Sequence, residues 1–574
     1  MAELRRLLIA NRGEIAVRIV RACREAGVGS VFAAAPGERT SLAAELADAT
    51  VDVASYLDAA ALVHAAVEAG ADAVHPGYGF LAEDPTFAEA VIDEGLRRVG
   101  PPPEAMRLLG DKVAARAVAE GADVPVVPGY AGDDLSDEAL LRHAAGLGPP
   151  LLVKAAAGGG GRGMRTVDDL GELASALHAA RDEAAASFGD GRVFLERHLD
   201  GVRHVEVQVL LDEHENAVHL GERDCSLQRR HQKIVEESPS PAVGPELRSE
   251  LGAAAIAIAR RAGYRGAGTA EFLLGGDDEW WFLEMNARLQ VEHPVTEAVT
   301  GVDLVRAQLE IASGGPLDLE LVEARGHAIE ARVYAEDPAN GFLPTGGRVV
   351  LLDLPHWPGV RVDTALREGD QIGFGYDPLL AKVIAWAEDR SVAIARLSAA
   401  LAHTSIVGVT TNLGFLLDAL ASPEFASATA DTEWVEATWV PQVPALPDGV
   451  HAEGGASDPW TTFAEASGSD HRGVTIRGDH AQFRGWAYRL ADEDLATDLT
   501  RPGGSLTAQM PGNVLRVEVE AGDVVSPGQV LALVEAMKIQ VQVTAPSGGT
   551  VRAVHVRVGD VVARGDVLME LDEP

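Results

Sequence analysis

Leu151-Leu-Val-Lys154-Ala-Ala-Ala-Gly158-Gly-Gly-Gly-Arg-Gly163-Met-Arg-Thr-Val167 is the stretch that decides the fold. A short apolar run ending in a lysine meets a glycine run, and a second extended run follows, so the pattern is strand, glycine loop, strand. Gly158 to Gly163 formally fit G-x-G-x-x-G. That dinucleotide fingerprint must open a helix whose N-terminus meets pyrophosphate, whereas here Met164 to Val167 resume a strand. No Gly-Lys-Ser/Thr supplies a P-loop either. What remains is a hairpin flap in which the bare amides of Gly158, Gly159, Gly160, Gly161 and Gly163 can close over phosphates. A plain surface hairpin is the competing reading, and Lys154 immediately before the loop weighs against it.

Upstream of the flap, Leu7-Leu-Ile-Ala10 and Ser30-Val-Phe-Ala33 alternate with alanine-rich helical patterns, among them Glu14 to Ala26 stopped by Gly27. That alternation predicts a parallel α/β unit over residues 1–110, followed by the flap unit over 111–202. A mixed α+β region over 203–445 carries strand signals at Val205 to Leu211, Thr269 to Leu274 and Trp280 to Asn286. Residues 446–504, rich in Pro, Gly and Asp, read as a linker with a small connector module. The last unit, 505–574, is a repeat. A shift of 37 residues aligns thirteen identities, from Thr507/Thr544 through Gly522/Gly559 and Asp523/Asp560 to Leu531/Leu568. Each copy reads as a small meander, two of which would pack as a pseudo-symmetric all-β sandwich with Glu535-Ala-Met-Lys538-Ile539 at the joint.

Composition sharpens the search. The chain has 574 residues, enough for roughly three to five domains, and 48 basic against 87 acidic side chains give a net charge of −39. The mean field therefore repels nucleic acid and anionic membranes. Two cysteines make neither a disulfide framework nor a cysteine zinc site. No apolar run reaches ~18 residues, and the N-terminus reads as a first strand rather than a leader, so a cytoplasmic protein is expected. Only five of the basic residues are lysine, at 112, 154, 233, 382 and 538, and 43 are arginine. A background that favours arginine spares lysine mainly where guanidinium cannot replace an amine, which makes these five positions suspects for chemistry.

Further chemistry gathers around Glu284. Every second residue from there is polar, through Asn286, Arg288, Gln290 and Glu292, so an extended chain would put all five on one face. Strand pairing across the turn at Gly275 to Asp278 can set Glu271 opposite Glu284. Opposed carboxylates destabilise a sheet unless a cation lies between them, and hard oxygen ligands suit Mg²⁺. Arg223 to Lys233 is the one dense cationic segment and reads as an anion clamp.

Flap, opposed carboxylates and basic segment together describe MgATP-dependent phosphoryl transfer to an acid. Gly110-Asp-Lys112, Lys154 with the flap, Glu222-Arg-Asp-Cys-Ser-Leu-Gln-Arg-Arg-His-Gln-Lys233, Glu284-Met-Asn-Ala-Arg-Leu-Gln-Val-Glu-His-Pro294, His75-Pro-Gly-Tyr-Gly-Phe80 and His327-Ala-Ile-Glu-Ala-Arg332 resemble the biotin carboxylases of the ATP-grasp family. Glu535-Ala-Met-Lys538 in its repeat is similar to biotin carboxyl carrier domains, with Ile539 where these usually have Met. The fold implied is an α/β N-terminal domain, α+β ATP-grasp domains and a C-terminal flattened β-sandwich of the biotinyl/lipoyl type.

The resemblance implies the following roles. Lys112, Lys154 and the flap would contact ATP, with Glu196, Leu199, His204, Gln228 and His231 lining the nucleotide pocket and Lys233 on the γ-phosphate. Glu271, Glu284 and Asn286 would bind two Mg²⁺ or Mn²⁺ ions. Arg288, Gln290 and Val291 would bind bicarbonate, Glu292 would be the general base, and Arg332 would stabilise the enolate of biotin. Lys538 would carry biotin. The implied protein is an acyl-CoA carboxylase α subunit, working through carboxyphosphate for acetyl-, propionyl- or longer acyl-CoA. Its implied partners are a carboxyltransferase β subunit, a biotin protein ligase and further copies of itself, with no nucleic acid and no membrane. Three alternatives stay open: methylcrotonyl-CoA as acceptor, an assembly subunit whose ATP site does not turn over, and an ATP-grasp ligase with a lipoylated carrier. Lys382 has no assigned role.

Overall fold

The computed structural model describes residues 4–158, 163–276, 279–317, 322–445, 474–477, 480–489, 505–508, 512–536, 539–562 and 566–572. Near the N-terminus, strands Ala49–Asp52, Gly29–Ala34, Arg6–Ile9, Ala73–His75 and Arg97–Arg98 line up in that order as a parallel sheet. Leu7, Ile9 and Phe32 pack into one buried cluster and Leu8, Val31 and Ala33 into another, as a parallel sheet covered on both faces requires. The expected first helix spans Gly13–Ala26 and ends on Gly27 at φ 70°, the left-handed cap that glycine adopts without strain.

The flap belongs to a four-stranded antiparallel sheet of Gly129–Tyr130, Val193–Arg197, Leu151–Ala155 and Arg165–Val167. Helices Asp137–Leu147 and Leu173–Phe188 supply apolar side chains to its core. The largest feature is one antiparallel sheet of eight strands, in the order Trp280–Asn286, Gly266–Leu274, Arg203–Leu211, Ala217–Arg229, Gln232–Ser238, His327–Tyr334, Leu379–Ala387 and Val360–Thr364. It runs unbroken from the opposed carboxylates to Lys382, so every predicted catalytic residue lies on this sheet or directly beside it.

Inside the predicted linker, strands Val474–Arg477, His480–Phe483 and Trp486–Arg489 form a three-stranded antiparallel sheet. It docks on the preceding region. Gln482 donates to the Thr404 carbonyl at 2.7 Å and accepts from the Ile406 amide at 3.0 Å. The Trp486 indole covers Gly414 so closely that a Cβ there would lie 2.4 Å from the ring.

The carrier unit has two four-stranded sheets. One orders Ser505–Thr507, Val567–Asp572, Gly549–Val554 and Val524–Val525, the other Ile539–Thr544, Val530–Ala536, Gly512–Val517 and Val561–Val562. The 37-residue shift maps each sheet onto the other, strand for strand, as the expected pseudo-symmetry requires. The expected separate meanders are corrected, because each sheet takes strands from both copies. Edge strands of only two residues cannot pair into a stable sheet within one copy, so the copies interleave. Met537 and Lys538 fall between the paired Ala536 and Ile539 and lie outside the described residues.

Candidate active site

Glu271 and Glu284 occupy directly opposed positions on neighbouring antiparallel strands, as read from the sequence. Two lysines lie against them. The Lys112 ammonium, at the start of helix Lys112–Glu120, donates to Glu284, and Lys233 donates to Glu271 at 2.7 Å and to Glu292 at 2.8 Å. Lys233 also donates to Glu206, a carboxylate with no exposure on strand Arg203–Leu211. His204, two residues earlier on the same strand face, places Nε2 3.1 Å from Glu271.

The expected extended face from Glu284 to Glu292 is corrected beyond Asn286. The strand ends there, and Pro294 in the first turn of helix His293–Thr300 fixes a helix start that an extended chain could not enter. The side chains converge nonetheless. Arg288 donates to Gln290 Oε1 at 2.9 Å and to Asn286 Oδ1 at 3.1 Å, while Asn286 Nδ2 donates to Glu271 at 2.8 Å and Gln290 to the same oxygen at 3.4 Å. Arg288 is steered from outside by Glu83, which accepts from its Nε at 2.9 Å and from the Ala287 amide at 3.0 Å. Glu292, fully buried, is shared between Lys233 and Arg332, whose Nη2 donates to Oε2 at 3.0 Å.

The cationic segment is no open clamp. It is a tight hairpin, Ala217–Arg229 to Gln232–Ser238, turning through Arg230 at φ 46° and His231 at φ 63°. Two of its three guanidiniums are committed inward, Arg223 to Glu206 at 2.5 Å and Arg229 to Glu336 at 2.7 Å, while Arg230 at the turn is exposed. Desolvated guanidinium must find an acid partner, so density of charge in the sequence did not mean free charge in the fold. Lys233 pairs in register with Gln228 and faces the carboxylates.

Lys154 and Glu196 form a pair on the flap sheet at 2.9 Å, and the Lys112 amide donates to the Ala156 carbonyl at 2.9 Å, tying that sheet to the site. Leu199 is half-buried after the same strand. At the roots of the flap, Gly158 and Gly163 have φ of 85° and 70°, and a Cβ on Gly158 would lie 2.3 Å from the Phe188 ring. Gly159, Gly160 and Gly161 lie outside the described residues.

Electrostatics follow from these contacts. Burial would raise the Glu292 carboxyl, but Lys233, Arg332 and Arg223 outweigh it and hold the group well below the carboxylate range. Burial would likewise raise Glu271, and Lys233 with His204 reverses it. Burial would lower Lys233, but Glu206, Glu271 and Glu292 drive it well above its ordinary value. Glu236 differs. It sits 2.5 Å from Arg332 and directly opposite Glu330, and burial pushes it up to about 7 despite the guanidinium. Burial likewise pushes Glu330 well above its ordinary value.

Four family models match successive parts of the chain: biotin carboxylase N-terminal domain over residues 3–106, carbamoyl-phosphate synthase L chain ATP-binding domain over 111–320, biotin carboxylase C-terminal domain over 330–437 and biotin-requiring enzyme over 504–571. The solved biotin carboxylase domain of Hydrogenobacter thermophilus 2-oxoglutarate carboxylase, in complex with MgADP, ADP and bicarbonate, superposes with a TM-score of 0.74 at 41% identity, covering 76% of this chain and 98% of that one. The chain belongs to the biotin carboxylase family. Within that family, methylcrotonoyl-CoA carboxylase subunit alpha of Dictyostelium discoideum is 36% identical over 94% of this chain and 92% of its own length. The rat protein of the same name is 46% identical over 75% of this chain, a match that spans only 61% of its length. Among the described residues no helix is long and apolar enough to cross a membrane.

The family's metal and biotin can be tested against the residues present. Two opposed carboxylates with an amide beside them form a hard oxygen set suited to Mg²⁺, and each carboxylate is met by its own ammonium, Lys112 on Glu284 and Lys233 on Glu271, as closely paired acids require. The carrier ends a strand pair at Ala536 and Ile539, so the sequence between them offers one amine. Sequence reasoning missed Glu83, Glu206 and Glu236. Glu206 carried a local signal, as an acid inside an apolar strand run.

Proposed function

We propose that the chain is the α subunit of an acyl-CoA carboxylase, which uses MgATP and bicarbonate to carboxylate biotin held on Lys538. The observation that carries this reading is the Glu292 carboxylate held between Lys233 and Arg332 beside the opposed pair Glu271 and Glu284.

In this reading Lys112, Lys154 and the flap bind the nucleotide, and Lys233 takes the γ-phosphate. Mg²⁺ on Glu271, Glu284 and Asn286 supplies charge stabilisation at the phosphates. Arg288, Gln290 and Val291 hold bicarbonate. Glu292 Oε accepts the bicarbonate proton as the freed oxygen attacks the γ-phosphorus, giving carboxyphosphate and ADP. Without nucleotide, Lys233 makes Glu292 a weak base. A phosphate that draws Lys233 away removes one of its counter-charges, so Glu292 gains basicity only once ATP is in place. Arg332, its guanidinium already fixed by Glu292 and Glu236, supplies positive charge where the acceptor's ureido oxygen becomes negative. Biotin on Lys538 is the carboxyl acceptor.

The proposed partners are a carboxyltransferase β subunit, a biotin protein ligase and a second copy of the chain, and the proposed compartment is the cytoplasm. The acceptor is an acyl-CoA of the acetyl, propionyl or longer type, and the Dictyostelium and rat relatives favour methylcrotonoyl-CoA as a second reading. ADP release by the purified chain with free biotin should depend on bicarbonate. Its absence would sink the assignment. A biotin-sized mass addition lost in Lys538→Ala is expected, and a lipoyl-sized one would point to a different ligase. A panel of CoA thioesters, assayed after co-purification with the β subunit, decides the acceptor.

A further inference from the structure

Lys382 is one of five lysines among 48 basic residues, is wholly buried and takes no part in the chemistry above. It lies mid-strand in Leu379–Ala387, directly opposite Arg332 on one neighbour and Asp363 on the other. Its ammonium donates to the main-chain carbonyl of Val291 at 2.9 Å. It also sits 3.1 Å from Glu14 Oε1 and 3.9 Å from Asp363 Oδ2. Glu14 belongs to the first turn of helix Gly13–Ala26 and accepts from the Tyr78 hydroxyl. One buried ammonium thus joins the N-terminal helix, the far end of the large sheet and the segment between Asn286 and Glu292.

Resting on the function proposed above, we propose that Lys382 is a positioning residue for bicarbonate activation, fixing the Arg288–Glu292 segment through the Val291 carbonyl. The peptide unit joining Val291 to Glu292 is planar, so holding its carbonyl sets the direction of the Glu292 amide and the departure of its side chain. Glu292 must reach Lys233 and Arg332 at once, and the irregular chain from Ala287 to Val291 has no ladder to hold it. The chemistry explains why this lysine escaped replacement. An ammonium donates from one point to the Val291 carbonyl and to Glu14, with Asp363 3.9 Å away adding charge, and a planar guanidinium of different shape and reach does not reproduce that arrangement. Burying such a charge is unfavourable unless its partners compensate it, so a purely apolar strand position would be better filled by an aliphatic residue.

The test uses the full chain and two variants, Lys382→Arg, which keeps the charge, and Lys382→Gln, which keeps an amide donor group without it. ADP release with free biotin gives KM for bicarbonate and for ATP, and melting with and without bicarbonate gives an activity-free readout. KM for bicarbonate should rise about 10- to 100-fold, the scale of a small misplacement of reacting groups, with KM for ATP unchanged and the bicarbonate-induced rise in Tm lost. A folded variant in which both KM values stay at wild type, or rise together, overturns the proposal. So does failure of both variants to fold, which would make Lys382 purely structural. A wild type without bicarbonate-dependent ADP release would refute the catalytic reading itself, and the melting comparison would then judge the bicarbonate contact alone.

Discussion

Replacing Trp486 with alanine should slow turnover on the chain's own carrier while leaving turnover of free biotin unchanged. The indole is 6% exposed and fills the space over Gly414. Truncating so large a buried ring costs about 3–5 kcal/mol. A three-stranded sheet of strands four residues long has little stability of its own, so that loss should undock it. With the sheet docked, 15 residues separate Arg489 from the first carrier strand at Ser505, a contour of at most ~50 Å. Undocked, the count runs from Ala445 and becomes 59. Effective concentration falls as roughly the −3/2 power of chain length, so this fourfold lengthening predicts about an 8-fold drop in carrier delivery. The assay compares bicarbonate-dependent ADP release on the biotinylated chain with that on added biotin, with hydrogen exchange over residues 474–489 reporting docking. Lost protection with undiminished carrier turnover would refute the reasoning.

Glu292→Gln should lower bicarbonate-dependent ADP release by about 10²–10⁴-fold, the usual worth of a general base. Thermal-shift titration should show that ATP still binds, and no more weakly than to wild type, because Lys233 is no longer held by Glu292. Lys538→Ala should lose the biotin-sized mass and all carrier-dependent turnover, with free-biotin turnover intact. His75 tests the buried interior. It is wholly buried, accepts from the Gly77 amide at Nδ1, and desolvation, which its Gln308 contact only partly opposes, pulls it down to about 3. Its contribution is therefore present above the unfolded value of 6.5 and is lost as pH falls towards 3. The loss comes to about 3 kcal/mol by pH ~4.5. His75→Asn, which keeps an acceptor for Gly77, should flatten the acid limb of urea stability by that amount, and an unchanged limb would refute it.

The sequence made the local chemistry legible and left its long-range partners hidden. Alternation put Glu271 opposite Glu284 because a strand pair closed by a short turn has few registers. The extended run after Gly163 told a flap from a helix-opening loop, because a strand and not a helix follows the glycines. Glu83, by contrast, reaches the Ala287 amide from 204 residues away, and Lys382 reaches Val291 across 91. Periodicity reports a face, never the group that faces it. In the basic hairpin the sequence could not tell Arg223 and Arg229, paired with buried acids, from the exposed Arg230, because clustered arginines look alike in either setting. The scarcity of lysine drew attention to Lys112, Lys154, Lys233 and Lys382, each of which the fold sets against buried or half-buried carboxylates.

The interleaving of the carrier repeat also bears on biosynthesis. Strand Val567–Asp572 lies between Ser505–Thr507 and Gly549–Val554, so it is an inner strand of its sheet although it is the last of the carrier strands in chain order. The sandwich cannot close around a partial chain, and Lys538 waits on residues made some thirty positions later. A modifying enzyme that recognises the finished β-sandwich therefore meets its target only after residue 572 has left the ribosome, when the domains before it have had time to fold. If Lys538 carries biotin as proposed, this topology places closure of the sandwich ahead of its loading.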